Sequence, residues 1–198
     1  MQGVATGVFL VSAVALLGSP GPGIAALLAV GRAEGLVIGL RYFLGLQVGL
    51  AVAAGASALG LLSFLQVFPA ALRVMTIVAA GYLAYLAYRI ATAPVGATAH
   101  RGRISSSAAS GAVLGVTNPK AYVAFASLFA SQRLVIADSR ADLQLKWCLC
   151  VIVIIVVDLA WLMVGVLLKR SALRPGSERL LNIALGAAIL GAAALTLR

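Results

Sequence analysis

Six apolar runs dominate this chain, at about 4–30, 37–62, 70–90, 108–132, 145–168 and 179–197. Each is close to the ~20 residues that an α-helix needs to cross a bilayer. Only 10% of the residues are charged, 63% are hydrophobic, and the mean hydropathy is +1.10. A soluble domain carries about 25% charged residues. With 198 residues and so little polar surface, the chain cannot screen its apolar side chains from water. Its solvent must be a lipid bilayer. The expected fold is an all-α membrane protein with six transmembrane helices. The connectors are too short to hold a soluble domain, so residues 1–198 read as one transmembrane domain.

Two of these runs are interrupted. Ser19-Pro20-Gly21-Pro22-Gly23 breaks the first, and Thr117-Asn118-Pro119-Lys120 breaks the fourth. Proline lacks a backbone donor and obstructs the turn before it, so a helix stops there. Glycine at 21 and 23 permits backbone paths closed to other residues. The spacing predicts a helix that stops near Gly18 and restarts near Pro22, where proline suits a first helical turn. Asn118 and Pro119 predict the same restart, with Asn118 as its cap. Lipid offers no partner for the freed backbone groups, so such breaks must line a cavity or bind a ligand. Paired breaks in two halves point to the binding site of a secondary transporter. Three spans per half is odd, so the second half enters from the opposite side. The expectation is a 3+3 inverted repeat, with half-repeats of about 1–92 and 108–198.

The net charge of +10 could suggest nucleic acid, but the basic residues lie between apolar runs and not along one face. They fit loops at a membrane surface, and no nucleic-acid partner is expected. With six spans, one side collects nine basic residues: Arg32, Arg41, Arg89, Arg101, Arg103, Lys169, Arg170, Arg174 and Arg179. The other collects five: Arg73, Arg133, Arg140, Lys146 and Arg198. The positive-inside rule makes the first side cytoplasmic, which puts both termini outside. Residues 1–18 hold no Lys or Arg, so the first run reads as a retained span and not as a cleaved signal. Tyr82, Tyr85 and Tyr88 suit a membrane interface.

Two ionisable residues sit deep in apolar runs. Lys120 lies in the fourth and Asp158 near the centre of the fifth. Intramembrane charges cost about 2.5–3.5 kcal/mol on insertion scales and so read first as functional groups. Lys120 can bind a substrate carboxylate, or snorkel to the interface. Asp158 can carry a proton, bind a substrate ammonium, or stand as a static partner of Lys120. The restarted helices add positive dipole ends, for which a carboxylate is the natural ligand. The candidate substrate site is therefore Pro20, Gly21, Pro22, Gly23, Asn118, Pro119 and Lys120, with Asp158 as the proton-coupling or amine-binding group. Gln47, Ser57 and Asn182 are lesser candidates that more often bridge helices. The Gly45/Gly49 and Gly186/Gly191 steps fit tight packing or a homodimer. Cys148 and Cys150 face different sides of one helix, and His100 adds no ligand cluster, so no metal site is expected. No catalytic motif is present, and neither an enzyme nor a cofactor is expected.

These motifs, taken in order, resemble the lysine-exporter family, the LysE/RhtB group of bacterial amino-acid exporters. Pro20-Gly21-Pro22 is followed by Gly31, Gly35, Gly39, Gly45 and Gly49. Gly81-Tyr82-Leu83-Ala84-Tyr85-Leu86 is similar to the family's third span, and Gly111 with Asn118-Pro119-Lys120-Ala121 to its fourth. Arg179-Leu180-Leu181-Asn182 before Gly186 and Gly191 is similar to its sixth. The chain departs from the pattern at Gly23, where the family usually has Asp or Asn, and at 127–132, which lacks a proline. The resemblance implies export of amino acids or related small metabolites across the bacterial inner membrane. Proton exchange is the expected driving force. The rival readings are a non-transporting membrane scaffold and a cation or metal exporter of similar architecture.

Overall fold

The computed structural model describes residues 2–60, 69–92, 106–170 and 175–196. Among them are eight α-helices and no strand: α1 (Gln2–Gly18), α2 (Pro22–Glu34), α3 (Leu36–Ala58), α4 (Pro69–Ala91), α5 (Ala108–Thr117), α6 (Pro119–Phe129), α7 (Ser139–Arg170) and α8 (Pro175–Thr196). Of the polar connectors that separate the apolar runs, 93–105 of the stretch at 92–107, with His100, and 171–174 of the stretch at 169–176 lie outside the described residues.

The breaks fall at the prolines. α1 stops at Gly18, and α2 restarts with Pro22 in its first turn after an extended Gly21. The two helices meet at 62° across the break, as a bent span or a re-entrant loop would. α5 stops at Thr117, because a residue before proline is driven out of the helical region, and Asn118 is extended. Pro119 then opens α6. The polar stretch 31–35, which separates the first two apolar runs, is mostly helix, since α2 runs on to Glu34. Only Gly35 turns the chain, at φ +83°, a left-handed angle that glycine adopts without strain. Likewise α7 begins at Ser139, ahead of the apolar run at 145–168.

Leu36–Ala58 and Ser139–Lys169 are each long and apolar enough to cross a membrane, and the bent α1–α2 pair together has the length and composition for a third. Thr76–Ala91, Ala108–Thr117 and Arg179–Gly191 are shorter apolar helices. Among the described residues the fold is therefore all-helical with two to three spans of full membrane length. The exposed surface is largely apolar, as a lipid solvent requires. Along α3, Leu44, Val48 and Val52 face outward, each more than half exposed, while Tyr42, Leu46 and Ala53 are fully buried. Hydroxyls in these helices bond their own backbone, as Ser57 Oγ does to Ala53 O at 2.8 Å and Thr117 Oγ1 to Val113 O at 2.8 Å.

α3 contacts both interrupted segments, α2 of the first and α5 and α6 of the second. Its contact with α5 is a glycine seam. A Cβ at Gly45 would stand 1.8 Å from Ala108 O, and one at Gly111 would stand 2.3 Å from Tyr42 O. Gly49 and Gly115 repeat the approach one turn on. α2 packs on α7, where a Cβ at Gly165 would meet Leu28 O at 2.5 Å. α4 pairs with α8. Gly186 sits in that pairing, facing Ala87 O, whereas a Cβ at Gly191 would meet nothing within 4 Å. Packing of this kind, set by small residues, holds membrane helices together where no hydrophobic force acts between them.

Candidate functional site

The two breaks meet. Lys120, in the first turn of α6, donates from Nζ to Ser19 O and, at 3.2 Å, to Pro20 O. These carbonyls are freed by the end of α1, and the lysine supplies the donor that lipid cannot. Its stem lies against Gly21, where a Cβ would come within 2.7 Å of Lys120 Cδ. The absence of a side chain at 21 therefore gives Lys120 its path. The ammonium is engaged by two backbone carbonyls. It ties one break to the other.

Beside this tie is a small cavity of about 40 Å³, open at its mouth. Of the expected site residues, Gly21, Gly23, Asn118, Lys120 and Asp158 line it. Pro20, Pro22 and Pro119 do not line it and act by ending or opening helices. Ser19 contributes to the wall, with its hydroxyl donating to Leu16 O at 2.8 Å. The remaining walls are apolar, drawn from α1, α2, α3, α6 and α7.

Asp158 is 5% exposed and accepts a 2.8 Å hydrogen bond from Gln47 Nε2 on α3. Sequence reading placed Gln47 only among helix-bridging groups. It does bridge α3 to α7, and in doing so it holds the one carboxylate of the cavity wall. Two buried acceptors nearby lack a donor, Gln47 Oε1 and Asn118 Oδ1. Asn118 occupies the cap position of α6, as its spacing predicts, but its side chain makes no capping bond. The start of α2 is likewise without a side-chain cap. An unsatisfied buried acceptor costs about 1–3 kcal/mol. Asn118 lines the cavity at 5% exposure, with its Oδ1 left without a donor.

Further polar groups close the two ends of the helix bundle. Arg32, expected in a loop, is 8% exposed, donating to Asn182 Oδ1 at 2.9 and 3.1 Å and to Leu168 O at 3.3 Å. Asn182 bridges helices as expected of it. At the other end Lys146, 1% exposed, pairs with Asp142 at 3.0 Å and donates to Phe129 O and Ser131 O at the end of α6. Asp142 Oδ1 accepts from the backbone of Leu134 and Val135. Lys146 and Asp142 stand at helical i, i+4 spacing, the sequence signal for this pair.

A family model described as LysE type translocator matches residues 14–198, nearly the whole chain and all of the cavity wall. The chain belongs to the LysE type translocator family. LysE translocators are membrane transporters that export amino acids or related compounds, and they form a transporter family, not an enzymatic one. A small-molecule substrate and a lipid surrounding follow for this LysE type chain. Searches of curated proteins and of solved structures return no match.

Proposed function

We propose that the chain is a six-span exporter of amino acids in the bacterial inner membrane, coupled to proton exchange, with its substrate in the cavity between the two broken spans. The observation that carries this reading is the Lys120 tie, which brings both interruptions to one cavity beside the buried Asp158. A substrate carboxylate would meet the uncapped start of α2, at the amides of Gly23 and Ile24, and the remaining donor of Lys120. A substrate ammonium would meet Asp158 and Asn118 Oδ1. A carboxylate in apolar surroundings must be neutralised by a proton, a cation or such an ammonium. Asp158 can thus exchange a proton for substrate.

The 3+3 inverted repeat is supported by the packing. Each long unbroken helix, α3 and α7, contacts elements of both broken spans, and α4 pairs with α8 across the two halves. Half-repeats of about 1–92 and 108–198 follow, with both termini outside on the nine-to-five basic asymmetry. Uptake of labelled amino acids into everted vesicles tests the function. A proton gradient should drive accumulation, and collapsing it should abolish the gain. Vesicles that accumulate nothing above a strain lacking the protein would favour a scaffold.

A further inference from the structure

We infer that the cavity is built for a neutral amino acid with an apolar side chain. This rests on the reading of the cavity as an amino-acid site and narrows its substrate class. The charged groups of the wall are one cation, Lys120, and one acid, Asp158. A zwitterionic backbone occupies both. Asn118 Oδ1, buried and without a donor, adds an acceptor for the ammonium and marks the start of α6 as a ligand contact, not merely a helix end.

Beyond these groups the wall offers a side chain only hydrocarbon. Leu16, Leu17, Ile24, Leu50, Phe125 and Ile154 supply it from five helices. The Ser19 hydroxyl is turned away, its proton held by Leu16 O. A lysine or arginine substrate would bring a second cation to a wall whose one acid is engaged. A glutamate would bring a second anion. Either charge would be buried without a partner, which is strongly unfavourable. Ala121 and Ala124 are the small apolar side chains of that wall, and the substrate side chain is placed beside them.

The test is counterflow into liposomes holding the purified protein, each preloaded with one unlabelled amino acid and offered its labelled form. Leucine should exchange at least about tenfold faster than lysine or glutamate at equal concentration, the factor that ~1.4 kcal/mol of discrimination produces. Lysine or glutamate exchange equal to that of leucine would overturn the inference while leaving the amino-acid reading in place. Exchange of none of a broad amino-acid panel would remove that reading and this inference with it. Ala124→Leu fills the proposed side-chain space. It should slow leucine and phenylalanine more than alanine, and an equal effect on all three would contradict the placement.

Discussion

Lys120 does two things that a lysine inside a membrane rarely combines. It satisfies carbonyls stranded by the end of α1, and it keeps a cation at the wall of the cavity. Lys120→Met should therefore weaken substrate binding, raising the half-saturating concentration at least tenfold, and should loosen the two breaks. Gly21→Ala separates these from a loss of charge. Gly21 is extended at φ −172°, which any residue adopts, so alanine introduces no backbone strain. Its Cβ would fall 2.7 Å from Lys120 Cδ and 2.9 Å from Nζ. Those atoms belong to a flexible side chain, so the protein should fold, with the ammonium displaced from Ser19 O and Pro20 O. Transport should then fall toward that of Lys120→Met at near-normal expression; unchanged transport in Gly21→Ala would show that the tie is dispensable. The motif residues at this scale were legible in the sequence because proline and glycine act on their own backbone. The role of Lys120 was legible only as charge. Its partners are the carbonyls of Ser19 and Pro20, about one hundred residues away, and no local pattern names them.

At the scale of helices, the glycine seam between α3 and α5 is the most demanding contact. Gly111→Ala would drive a Cβ to within 2.3 Å of Tyr42 O, where only backbone movement can relieve it. A marked loss of thermal stability in detergent is expected. Gly81→Ala is the matched control, with nothing within 4 Å of the added atom, and should be neutral or gain about 0.5–1 kcal/mol from helix propensity. Equal stability of the two variants would contradict the seam. The Lys146–Asp142 pair fixes the far end of α6, whose near end carries Lys120. Lys146→Met leaves a buried carboxylate without its cation and should cost about 3–5 kcal/mol, read from the detergent melting curve. The double variant with Asp142→Asn should recover part of that loss. Helix positions were legible because apolar length and proline are local signals. Helix ends were less so. Arg32 reads as a loop charge, yet α2 continues through it, because Asn182 and Leu168 O on distant helices accept its protons. Such pairings depend on tertiary contact, as does the Gln47–Asp158 bond.

For the whole molecule, a bilayer explains the outward apolar faces, and the helix breaks explain how a cation and an acid come to line one cavity among apolar helices. Topology is testable on a cysteine-free background, since Cys148 is exposed. Cysteines introduced at Ala97 and Ser171 should be shielded from impermeant reagents in intact cells, and one at Ser139 should react. Labelling at both of the first two positions would invert the proposed orientation. The central claim is that the buried carboxylate beside the joined breaks exchanges a proton for substrate. Asp158→Asn tests it most directly, because asparagine keeps size and hydrogen bonding but cannot titrate. In liposomes holding the purified variant, amino-acid export driven by a proton gradient should vanish, while exchange of labelled for unlabelled substrate persists. Gradient-driven export that survives in Asp158→Asn with the pH dependence of the wild type would contradict the account.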